Sequence, residues 1–146
     1  MKINTKIRYG LRTVIEIAIH GNNGILQKEI AKKQHLSDKY LDHIIASLKA
    51  GGIITNVAGK GSGYMLTKAP EHISVYDVYR SFDNELSITN CLSALAHCMK
   101  KESCAAREFW HELNETMIAK MKQSNIADLA RRELQLMEAK SNDYQI

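Results

Sequence analysis

The chain has 146 residues, enough for one ordinary domain or for a compact domain with an added oligomerisation element. It is 45% hydrophobic and 25% charged, so it can bury a core and does not have the composition of a disordered chain. No apolar run reaches membrane-spanning length, and Lys6, Arg8 and Arg12 interrupt what would be a signal-peptide core, so a cytoplasmic location is expected.

One proline and 6% aromatic residues disfavour a turn-rich β-sandwich and point to a mainly helical chain. The net charge of +4 hides a division. Residues 1–70 carry eleven Lys/Arg against four Asp/Glu, whereas residues 71–146 carry nine against twelve. A polyanionic partner is therefore expected for the first half alone.

In chain order, residues 5–20 place Leu11, Val14, Ile15, Ala18 and Ile19 at helical spacing, with Arg8, Arg12 and Glu16 opposite. Gly21-Asn-Asn-Gly24 breaks that helix. Residues 26–34 form a short second helix that buries Ile30 and Ala31 and turns Lys28, Lys32 and Lys33 to water. Ser37 is a good N-cap for a third helix reaching about Ala50, with Leu41, Ile44, Ile45 and Leu48 as its apolar stripe. Two short β-like runs, Ile53–Val57 and Tyr64–Thr67, flank a glycine-rich tip around Lys60. Ser74 and Asp77 make a capping box for a fourth helix ending near Phe82. This order is that of a winged helix-turn-helix, a mainly α fold with a small β wing.

Beyond Asp83 the pattern changes. Residues 84–104 have weak periodicity and hold all three cysteines, Cys91, Cys98 and Cys104. From Ala105 to Gln123, Phe109, Trp110, Leu113, Met117, Ile118 and Met121 recur at spacings of three and four. Such a seam needs a partner, and a homodimer is the natural reading. Residues 125–139 predict a last short helix, with the final seven residues frayed. The expected division is thus 1–83 winged helix-turn-helix, 84–104 cysteine loop, 105–123 dimerisation helix, and 124–146 short helix and tail.

A recognition helix meets base edges through its N-terminal residues, here Ser37, Asp38, Lys39, Tyr40, Asp42 and His43. Lys39 and His43 share a face. Asp42 can accept from cytosine N4 while repelling phosphate, or can pair with Lys39 or Lys49 on the helix surface. Tyr40 reads better as a backbone-positioning residue. Lys28, Arg8 and Arg12 are candidate phosphate contacts, and Lys60 with Ser62 forms a wing tip suited to a minor groove. Two such helices about one DNA turn apart would require a roughly palindromic double-stranded operator.

Three cysteines within 14 residues read as metal ligands, redox thiols or small buried hydrophobes. Paired C-x2-C zinc knuckles are absent. No nucleophile–base pair, phosphate loop or substrate-pocket motif occurs, so no catalytic residue and no enzyme is expected.

The chain resembles the Rrf family of bacterial transcriptional regulators. The resemblance rests on Lys6-x-Arg8-Tyr9-Gly10-Leu11-Arg12, Lys28-Glu29-Ile30-Ala31, Leu36-Ser37-x-x-Tyr40-Leu41, Gly59-Lys60-Gly61-Ser62-Gly63-Tyr64-x-Leu66 and Ile73-Ser74-Val75-x-Asp77-Val78. The spacing Cys91-x6-Cys98-x5-Cys104 resembles that of the cluster-binding branch. The resemblance implies a homodimeric DNA-binding regulator whose three cysteines hold an iron–sulfur cluster, [2Fe-2S] or [4Fe-4S], that senses cluster status, nitric oxide or redox state. The alternative is a metal-free repressor switched by thiol oxidation. The positions where relatives place a fourth ligand hold Arg107 and Arg8, which cannot ligate; His97, His111, Glu102 and Glu108 remain.

Overall fold

A computed structural model describes residues 2–59, 61 and 63–145 of the chain. Helix α1 spans Thr5–His20, α2 Gln27–Gln34 and α3 Asp38–Ala50. Strands β1 (Ile54–Asn56) and β2 (Tyr64–Leu66) follow, then α4 (Val75–Arg80), α5 (Ala105–Gln123) and α6 (Ile126–Asp143). The caps are those the sequence specifies. The Ser37 hydroxyl accepts from the Tyr40 amide at 3.2 Å, and Ser74 and Asp77 satisfy each other's amides at 3.0 and 2.8 Å.

The α3 stripe of Leu41, Ile44, Ile45 and Leu48 is buried, as its spacing predicts. The α1 stripe is not the expected one. Helix α1 buries Ile7, Gly10, Thr13, Val14, Glu16 and Ile17, sharing only Val14 with the expected set. Apolar residues surround most of this helix, so local spacing leaves its rotation undecided, and tertiary partners decide it. Gly10 admits the Phe82 ring, where a Cβ would lie 2.4 Å from ring carbons. Glu16, expected in water, is drawn inward by Lys33 and Gln34 of α2, at 3.0 and 3.1 Å.

The strands pair antiparallel with Ile54 opposite Leu66 and Asn56 opposite Tyr64. Ile25 bridges to β2 from outside this pair: its amide donates to the Tyr64 carbonyl at 3.1 Å, and the Tyr64 amide returns the bond at 3.0 Å. That approach requires glycine at position 63, where φ is 85° and a Cβ would lie 2.2 Å from the Ile25 carbonyl oxygen.

The main core joins Val14 and Ile17 of α1 to Ile30, Leu41, Ile44, Leu48, Ile73, Val78 and Ile126. The last of these belongs to α6, which is not the short terminal helix expected: it has 18 residues and continues to Asp143. Two backbone bonds dock its start, Val75 amide to Ser124 carbonyl (2.8 Å) and Ile126 amide to Ile73 carbonyl (2.9 Å). A second cluster holds Ile7, Tyr79 and Leu86 against Met117, Ile118 and Met121 of α5. Burial, with the Asp83 carboxylate nearby, pushes the Tyr79 phenol above its ordinary value. The Tyr79 hydroxyl donates to the Glu85 carbonyl at 3.3 Å. Among the described residues, no helix is long and apolar enough to cross a membrane.

Candidate nucleic-acid interface and cysteine loop

The first turns of α3 present Ser37, Asp38, Lys39, Asp42 and His43 to solvent, opposite the buried Leu41/Ile44/Ile45/Leu48 stripe. Tyr40 is half-buried and stands edge-on to Tyr9 of α1, with centroids 6.0 Å apart. Asp42 is bonded neither to Lys39 nor to Lys49. Its Oδ1 accepts from Gln27 Nε2 at 2.5 Å, a bond that brings the exposed Lys28 and the start of α2 beside α3. Lys49 instead donates to Asn56 Oδ1 at 2.7 Å and lies 5.7 Å from the Tyr64 ring centroid. Lys60 and Ser62 lie outside the described residues.

Both arginines expected at phosphates, Arg8 and Arg12, are exposed, but Arg12 also has tertiary partners. Its Nε donates to Gln34 Oε1 at 2.8 Å, and its guanidinium sits 5.0 Å from the Tyr9 centroid. Gln34 in turn donates to Glu16, which also takes Lys33. This network, buried at Glu16 and Gln34 and exposed at Arg12 and Lys33, locks α1 to α2 through charge-assisted bonds and, by way of Tyr9, backs the Tyr40 ring at the head of α3.

The cysteine loop leaves the second cluster at Leu86 and returns at α5. Asn114, the one buried residue among the described positions of α5, clamps the departure point. Its Nδ2 donates to the Leu86 carbonyl at 2.9 Å, and its Oδ1 accepts from the Ile88 amide at 3.0 Å. Cys91 lies in a 3-10 turn, Asn90–Leu92, with its sulfur 3.2 Å from the Thr89 hydroxyl. Arg107 Nε donates to the Cys91 carbonyl at 3.3 Å. Arg107 therefore ties the first cysteine to α5, a structural task in place of a ligand's. Cys104 occupies the N-cap position of α5, and Cys98 is exposed between exposed Leu95 and Met99.

All three thiols are free, and three soft donors suit a thiolate-held cluster in kind. They are not assembled, however. Among the described residues, no three His, Cys, Asp or Glu side chains come together as a metal-holding group. Cys91 and Cys104 are fixed to α5, while Cys98 rides a segment with little apolar anchorage.

Sequence reading missed Gln27 and Asn114. Nothing local marks Gln27, whose partner is 15 positions away. Asn114 does leave a signal, being a polar residue between Leu113 and Met117 on an otherwise apolar seam.

A family model described as Rrf2, iron-dependent transcriptional regulator, matches residues 3–132. The chain is 34% identical over 132 residues to protein rrf2 of Nitratidesulfovibrio vulgaris, a match covering 90% of this chain and 88% of that protein. Its fold is similar to that of CymR, the global cysteine regulator of B. subtilis, with a TM-score of 0.77 and 28% identity, covering 90% of this chain and 98% of that one. It is also similar to T. potens IscR, with a TM-score of 0.73 and 25% identity, covering 91% and 88% of the two chains.

Proposed function

Given that this chain belongs to the Rrf2 family of transcriptional regulators, we propose that it binds double-stranded DNA as a homodimer and that its cysteine loop controls that binding. The observation that carries this reading is the placement of the loop. Its start is bonded twice to α5, at Leu86 and Ile88 by Asn114 and at Cys91 by Arg107, and its end runs into α5 at Cys104; the second half of α5 packs under the winged-helix half through Met117, Ile118 and Met121. A change in the loop thus acts on the helix that seats the DNA-reading domain. Phe109, Trp110 and Leu113 remain 57%, 39% and 40% exposed on the first half of α5, the apolar face a second copy would cover.

In this reading Lys39 and His43 read base edges, Asp42 discriminates, and Lys28 holds phosphate. Lys39→Ala should weaken binding to a selected operator by about 1–3 kcal/mol, more than it weakens binding to random duplex. Lys28→Ala should weaken both alike, and all binding should fall steeply with salt. Fluorescence anisotropy against both duplexes checks this; equal losses for Lys39→Ala would reduce it to a phosphate contact.

Cys91, Cys98 and Cys104 would hold the iron–sulfur cluster, which when bound supplies a centre reactive toward oxygen and nitric oxide. A second reading, thiol oxidation without metal, is favoured by the free and exposed Cys98 thiol. Protein purified without oxygen separates the two. Visible absorbance with stoichiometric iron and sulfide supports the cluster, and a colourless protein with three titratable thiols supports the thiol switch.

A further inference from the structure

The recognition helix does not present Asp42 on its own. Gln27 at the start of α2 donates from Nε2 to Asp42 Oδ1, and its Oε1 accepts from the Tyr64 hydroxyl at 3.2 Å. The chemistry leaves one arrangement of this amide. A carboxylate only accepts, so the amide nitrogen must face Asp42, and the oxygen left over requires Tyr64 to donate. Tyr64 is itself fixed, paired through both backbone groups to Ile25 and through its strand to Asn56. The chain Tyr64–Gln27–Asp42 therefore links the wing, α2 and α3 across the surface that carries Lys28 and Lys39.

We propose that Gln27 is a specificity-determining positioning residue: it holds the exposed Asp42 carboxylate in one orientation, with Oδ1 engaged and Oδ2 wholly free to accept from a base amine. This rests on the DNA-binding reading above. An unclamped carboxylate would rotate among solvated positions, still repelling phosphate but no longer aimed at one exocyclic amine. Base preference at that position thus belongs to the Gln27–Asp42 unit and, through Tyr64, to the wing.

The test is selection from a randomised duplex pool by the full chain, comparing wild type with Gln27→Ala, Asp42→Ala, the double variant and Tyr64→Phe. Gln27→Ala should reduce the preference at the base pair affected by Asp42→Ala by about fivefold or more. It should add nothing in the Asp42→Ala background, and Tyr64→Phe, which removes one hydroxyl, should shift the same base pair less. Three results overturn the proposal: an unchanged motif, a shift at a different base pair, or a uniform loss of affinity for all sequences. If Gln27→Ala does not fold, Tyr64→Phe alone decides, and an unchanged preference there overturns the link. If wild type enriches no motif, the DNA-binding reading fails first and this inference falls with it.

Discussion

Ile126→Ala should destabilise the whole N-terminal core, by about 2–5 kcal/mol, the usual cost of truncating a large buried aliphatic side chain. Ile126 is fully buried among Val14, Ile17, Ile73 and Val78, although it lies more than 40 positions beyond the last winged-helix element. Its backbone is bonded to Ile73, and the neighbouring Ser124 carbonyl takes the Val75 amide. The cost should be large because both sides of the contact are held: the backbone after Ile73 is pinned by the Ser74 cap, and α6 is pinned by Asn125 capping Asp128. Total stabilities of small domains are about 5–15 kcal/mol, so this one change can remove a large part. Urea unfolding at fixed protein concentration checks it, followed by a probe of α1–α3. A loss below about 1 kcal/mol would mean that α6 is not part of that core.

Asn114→Ala should cost at least about 2 kcal/mol, because it orphans the buried Leu86 carbonyl and the part-buried Ile88 amide together; each such group costs about 1–3 kcal/mol when left unpaired. Its second effect is functional. With the clamp gone, the path from the cysteines to α5 runs through Arg107 alone at one end, and residues 87–98 gain freedom. Hydrogen exchange at the Ile88 amide should accelerate, and the coupling between cysteine state and DNA affinity should shrink. Unchanged exchange at Ile88, or stability within about 0.5 kcal/mol of wild type, would contradict the role given to Asn114.

What the sequence made legible were features that depend on neighbours along the chain. The Ser37 and Ser74 caps, the α3 stripe, the glycine-tipped wing and the long α5 all follow from residues within one or two turns of each other. What it concealed were choices made between distant segments. Leu11, Ile15 and Ile19 compete with Ile7, Val14 and Ile17 for the inside of α1, and the outcome turns on Glu16 finding Lys33 and Gln34. The α5 seam reads as one face, yet the structure divides it. Its second half packs on Ile7, Tyr79 and Leu86, while Phe109, Trp110 and Leu113 stay open. The polar end of α6 carries no strong apolar period, which is why its full length to Asp143 is not visible locally. Gln27 and Asp42 meet only because α2 and α3 are folded against each other. The cysteine spacing points to ligands, while the bond from Arg107 to the Cys91 carbonyl, the place of Cys104 at the head of α5 and the exposure of Cys98 depend on the folded loop.

The central claim is that the cysteine loop controls DNA binding, and operator affinity in the absence of oxygen tests it most directly. The comparison is between wild type and the variant in which Cys91, Cys98 and Cys104 are all alanine, on an operator obtained by selection. A tenfold change needs only about 1.4 kcal/mol of coupling, which one loop ordered in one state and loose in the other can supply. At least a severalfold difference in Kd is expected, with the helical content and the oligomeric state of the two proteins unchanged. Equal affinities for the selected operator, with and without the three thiols, would contradict it.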